Sequence, residues 1–125
     1  MNRVLLTAAV VSLAFLQIGC RSKQERLVED QIDLGEDLLD IMKGITDEAS
    51  AKAAVPELEK LKKQAEELAK EGMEVMKDLT PEEAIELMKK YEDEMSKLDK
   101  ELKAERKRIM ANEQLKEILA DKLPD

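Results

Sequence analysis

The chain contains no histidine and no tryptophan, and only one cysteine (Cys20), one phenylalanine (Phe15) and one tyrosine (Tyr91). Each shortage excludes a class of chemistry. Without histidine there is no imidazole base and no Ser-His-Asp or Cys-His arrangement. A haem-binding or di-iron helical bundle would also lack its histidine ligands. One cysteine cannot close a disulfide within the chain, nor supply the pair that covalent haem attachment requires. No glycine-rich phosphate loop and no EF-hand spacing occurs. No catalytic residue, cofactor or metal site is therefore expected. The scarcity of aromatics limits the interior as well. A core built from Leu, Ile, Met and Ala suits narrow helix–helix seams, and Met73, Met76, Met88 and Met95 read as flexible filler within them.

Charge is abundant. Asp, Glu, Lys and Arg make up 40% of the 125 residues, with 29 acids against 21 bases and a net charge of −8. An acidic surface disfavours nucleic acid and anionic lipid headgroups as partners. Richness in Ala, Glu, Lys and Leu at helical spacing points to long helices or coiled coil. Acidic runs such as Glu66-Glu67, Glu82-Glu83 and Glu92-Asp93-Glu94 offer at most a loose site for a hard cation. They read better as a solvated face with i,i+4 pairs Glu59–Lys63, Glu66–Lys70 and Glu86–Lys90, each contributing a few tenths of a kcal/mol. Arg106-Lys107-Arg108 is a positive patch. It reads as a basic helix end that complements the macrodipole, with contact to anionic lipid or a cell-wall polymer as the alternative. Tyr91 is expected in the core with its hydroxyl near the bundle edge.

The N-terminus has its own pattern. Arg3 supplies positive charge, Val4–Ile18 is almost wholly apolar, and Gly19-Cys20 precedes a polar sequence that begins at Arg21. This order of charged, apolar and small residues reads as a signal peptide over residues 1–19. The apolar run is shorter than the roughly 20 residues a membrane-spanning helix needs. Removing it takes away Arg3 and no acid, so the remaining domain is one unit more negative.

The Gly19-Cys20 junction resembles the lipidation and cleavage site of bacterial lipoproteins processed by signal peptidase II. Gln17 departs from the leucine that this family prefers three residues before the cysteine. The resemblance implies cleavage between Gly19 and Cys20 and acylation of Cys20 with palmitate-class chains. It also implies export to the cell envelope, with membrane attachment through those chains. More than one chain gives stable anchoring, since each buried CH₂ contributes about 0.8 kcal/mol. Arg21, where inner-membrane retention favours Asp, implies the outer membrane facing the periplasm in cells with two membranes. Ordinary cleavage to a soluble exported protein and an uncleaved signal anchor remain as alternatives. A second resemblance covers Asp47, Ser50-Ala51 and Ala54, which look like a recurring segment of small helical exported bacterial proteins of an uncharacterised family and imply no activity.

Residues 20–25 read as a lipidated N-terminus and polar tether, and residues 26–123 as one helical domain. A first helix is expected from about Gln24 to Lys43, with an apolar seam at Leu27, Leu34, Leu38, Ile41 and Ile45 that Gln31 interrupts. Gly44 is a candidate C-cap. Thr46 or Asp47 caps a second helix, in which Pro56 marks a kink or the true start. Its seam is Ala54, Leu58, Leu61, Ala65, Leu68, Gly72, Val75 and Leu79, with unbroken four–three stepping that favours one bent helix. Thr80-Pro81-Glu82-Glu83 is a capping box with Pro at the first helical position. The third helix, Pro81 to Ala111, is about 46 Å long at 1.5 Å per residue. Its seam is Ala84, Met88, Tyr91, Met95, Leu98, Leu102, Glu105 and Ile109. Asn112 opens a last short helix.

Short turns make neighbours antiparallel. The expected fold is all-α: an antiparallel three-helix bundle or a long bent coiled-coil hairpin, with a shorter first helix and a short C-terminal one. Part of the hairpin is expected to protrude and need a partner. The expected role is a structural or protein-interaction one, with an envelope protein or self-association through helix seams. The alternative is a periplasmic chaperone-like or solute-binding protein that uses a methionine-bearing apolar surface.

Overall fold

The computed structural model describes residues 22–124. They form four helices and no strand: α1 Lys23–Gly44, α2 Glu48–Met76, α3 Pro81–Met110 and α4 Glu113–Leu119. The all-α expectation holds, as a three-helix bundle with α4 packed across one end.

Each helix starts where a side chain accepts from otherwise unsatisfied amides. The Ser22 hydroxyl accepts from the Glu25 N–H at 3.1 Å. Asp47 accepts from the Ser50 N–H at 2.8 Å, while the Ser50 hydroxyl accepts from the Asp47 N–H at 3.0 Å. The Thr80 and Glu83 side chains make the same reciprocal exchange. Asn112 accepts from the amides of Gln114 and Leu115. Lys23, Gln24 and Glu25, read as tether, form the first turn of α1. α2 runs through Pro56 as one helix; the proline removes one intrahelical donor without ending the element. Gly44 is an ordinary last helical residue. Ile45 is the C-cap and donates its N–H to the Met42 carbonyl, and no described glycine has positive φ.

α1 lies between the other long helices. It packs against both α2 and α3, which pack on α1 rather than on each other, and α4 packs against α2 and α3. α1 and α3 are parallel. Their hydrogen-bonded partners stay 62 to 66 positions apart from Glu29–Tyr91 to Met42–Arg108. α1 and α2 are antiparallel: Gln24 meets Val75, and Leu27 meets Gly72. The start of α1 therefore reaches the last turn of α2. The hairpin of α2 and α3 does not protrude past α1, contrary to expectation.

A helix that packs on two neighbours needs two adjacent apolar stripes. The seam through Leu27, Leu34, Leu38 and Ile41 faces α2, and of these only Leu27 is buried. A second stripe, Val28, Ile32, Gly35, Leu39 and Met42, follows the same four–three stepping and faces α3. Its four side chains are all buried. Gly35 and Gly72 set the closest approaches. A Cβ on Gly35 would lie 2.5 Å from Leu98 Cδ2, and one on Gly72 would lie 3.1 Å from Leu27 Cδ2. On α3 the buried phase is Leu87 and Tyr91, so Met88 is turned outward instead of into the seam.

The core is split along the bundle. Val28, Ile32, Leu87 and Tyr91 pack together with Met76, Leu79, Met95 and Leu98 near the α2–α3 turn. A larger cluster at the other end joins Met42, Ile45, Ala51, Ala54 and Leu58 to Ile109 and to Leu115, Leu119 and Leu123. No buried polar or charged residue occurs among the described residues, as expected for seams filled by Leu, Ile, Met and Ala.

Candidate functional site

The space between the two core clusters is a groove. Its walls are the middle turns of α1 and α2, and the segment after α4 closes the lower wall. Gln31, Leu34, Gly35 and Leu38 line one side and Leu58, Leu61, Lys62 and Ala65 the other, with Ala120–Pro124 below, around a volume of about 540 Å³. The apolar seam expected between the first two helices is thus left open at Leu34, Leu61 and Ala65. The cause is geometric. α2 has α1 as its one long neighbour, and α4 reaches only its first half.

One charge at the groove, Lys122, is positioned by pairing. Lys122 Nζ lies 2.7 Å from Glu59 Oε1, tying the C-terminal segment to α2. The Lys122 hydrogen bond and charge hold the Glu59 carboxyl below its usual range, and Glu59 in turn raises the Lys122 ammonium. The sequence reading paired Glu59 with Lys63 and Lys90 with Glu86. Lys90 instead pairs with Glu25 at 3.3 Å. Lys90 thus links α3 to α1, and Lys122 links the segment after α4 to α2, contacts that single-helix spacing does not reveal. No methionine lines the groove.

Methionine is exposed elsewhere. Met73, Ile85 and Met88 are 71%, 56% and 49% exposed. Ala84, Ile85, Met88 and Met95 form an apolar strip on α3 beside Lys89 and Glu92. The strip is legible once Leu87 and Tyr91 fix the buried phase of α3, because Ile85 and Met88 then fall on the other side.

The remaining singled-out residues have structural partners. Tyr91 is buried and donates its hydroxyl to Glu29 Oε1 at 3.0 Å, with Lys90 Nζ 5.5 Å from its ring centre. Arg108 serves a different helix end from the one expected. Its Nη1 and Nη2 donate to the carbonyls of Ile45 and Met42 at 2.9 and 2.8 Å, and its Nε donates to Glu105 at 2.7 Å. The guanidinium therefore caps the C-terminus of α1, where orphan carbonyls and the negative end of the macrodipole favour a cation.

Gly19 and Cys20 lie outside the described residues. The position of Ser22 is known: Ser22, Gln24 and Glu25 border Leu79, Glu83 and Leu87, so the described chain begins at the end of the bundle that carries the α2–α3 turn. Among the described residues no group of three or more acidic, cysteine or histidine side chains is placed to hold a metal ion. No described helix is long and apolar enough to cross a membrane. Comparison of the chain with protein-family models, with curated proteins and with solved structures finds no match.

Proposed function

We propose that this chain is a lipid-anchored helical protein of the bacterial cell envelope, held on a membrane by acyl chains on Cys20. Its role in this reading is structural or protein-binding, without catalysis. The observation that carries the reading is the junction itself. Arg3, the apolar run Val4–Ile18 and Gly19-Cys20 stand in the order that export and acylation require. The bundle supports it in one respect: Ser22 caps α1 two residues after Cys20, so the folded domain starts directly behind the acylation site. Mass spectrometry of the N-terminal peptide from the membrane fraction tests the proposal. An acylated peptide starting at Cys20 is expected, and an unmodified N-terminus would sink it.

Solute binding is a second reading, favoured by the groove between α1 and α2. Its walls are apolar at Leu34, Leu38, Leu61 and Leu123, with Lys62 and Asp121 bordering them. That combination suits a small ligand with one apolar face and one polar end. Replacing Leu61 with Gln removes the apolar wall, and an envelope extract that stabilises the parent protein but not this variant against heat would favour the second reading.

A further inference from the structure

Among the described residues, the exposed large apolar side chains Met73, Ile85 and Met88 share one end of the bundle. The constant separation between α1 and α3 sets Ile85 level with the first turn of α1 and Met88 about one turn further on. Met73 neighbours Gly72, which meets Leu27, so it stands at the level of Arg26. All three thus lie within about one helical turn, roughly 5 Å, of the level where α1 begins. Ser22 is two residues from Cys20, and two extended residues span at most ~7 Å.

We propose that this end of the bundle rests on the membrane, with Met73, Ile85 and Met88 seated in the headgroup region of the bilayer that holds the Cys20 acyl chains. The inference rests on that acylation. The tether is too short to lift this end of the bundle clear of an interface into which apolar faces sink ~5–10 Å. At the same end the bases Lys23, Arg26, Lys77, Lys89 and Lys90 stand against Glu25, Glu74, Asp78, Glu82, Glu83 and Glu86, which leaves no basic excess. The fitting lipid is therefore zwitterionic, such as phosphatidylcholine or phosphatidylethanolamine, and the contact is made by apolar burial rather than by basic residues on anionic headgroups. Tethering and burial act together: none of the three side chains needs to bind a membrane alone, because the acyl chains already hold the bundle there.

The methionines provide their own probe. The full precursor is expressed in a bacterium, recovered from its membranes and reconstituted in phosphatidylcholine vesicles. Sulfoxide formation by hydrogen peroxide is then followed at each methionine by mass spectrometry, with the N-terminal peptide read in the same sample. Solvent exposure alone makes Met73 and Met88 oxidise faster than Met110, which is half-buried at the opposite end. On the bilayer that order inverts, with Met73 and Met88 slowed until Met110 oxidises faster. The exposed Ile85→Glu substitution restores fast oxidation at Met88 and leaves acylation intact. If Cys20 is acylated but Met73 and Met88 still oxidise fastest, the membrane-resting surface is overturned and the lipid-anchor reading stands. If Cys20 is unmodified, both fall. Protection that rises with the density of protein in the vesicles would assign the patch to a second copy of the chain and overturn the assignment to lipid.

Discussion

Replacing Arg108 with Met removes the guanidinium that caps α1 and keeps most of the aliphatic stem. Two bonds to backbone carbonyls are lost, to Met42 at 2.8 Å and Ile45 at 2.9 Å. A hydrogen bond from a charged donor contributes about 1.5–3 kcal/mol. The Arg108 side chain is 42% exposed, so water replaces part of what is lost, and the pair is worth about 2 kcal/mol together. The exposed ion pair with Glu105 adds little. For a domain near 100 residues that loss lowers Tm by about 8 °C. Thermal unfolding followed by circular dichroism measures it, and urea titration should show a lower midpoint at unchanged slope. Lys107→Met is the control: the neighbouring position is exposed, and the change should stay within about 0.5 kcal/mol. An Arg108→Met protein melting within about 2 °C of the Lys107→Met protein would refute the assignment of Arg108 as the cap of α1.

Gly44→Ala should stabilise the fold by about 0.5–1 kcal/mol, read as a higher urea midpoint, because a Cβ there meets nothing within 4 Å and the backbone is helical. Gly35→Ala should do the reverse, and a second substitution, Leu98→Ala, should recover part of the loss by removing the Cδ2 atom in its way. The Asp47 carboxyl is held below its ordinary value of 3.8 by the Ser50 amide and hydroxyl. A group with a depressed folded value contributes stability above its unfolded value and loses it as pH falls through the folded one. The parent protein should therefore lose more stability between pH 5 and pH 3 than Asp47→Asn, whose uncharged cap does not titrate; equal losses in urea titrations would contradict the Ser50 pairing. Cys20→Ala should abolish acylation of the N-terminal peptide while leaving the Tm of the bundle unchanged.

Helix boundaries were legible because they are local. Ser50 follows Asp47 by three residues and Glu83 follows Thr80 by three, and each spacing alone states a capping box. Asn112 announced α4 in the same way. What a single stripe per helix concealed was the number of neighbours. Val28, Ile32, Gly35, Leu39 and Met42 were present in the sequence at the correct stepping, yet one seam suffices for a hairpin, and nothing local says that α1 has two partners. The same limit hid the ion pairs. Glu59 has Lys63 one turn away, while its partner Lys122 is brought there by α4. Arg108 looked like a basic end of its own helix for this reason too. The groove followed from none of these signals, because it depends on where the segment after α4 meets α1 and α2, and no residue pattern marks that meeting.

The central place of α1 fixes an order of events during synthesis. α1 and α2 emerge first, yet half of the α1 surface waits for α3, and the carbonyls at its end wait for Arg108. The larger core cluster is incomplete until Ile109, Leu115, Leu119 and Leu123 arrive. The α2–α3 hairpin alone is a poor early nucleus, since its two helices pack mainly on α1. A growing chain can therefore join α1 to α2 early, but its larger core closes only when the last turns are made.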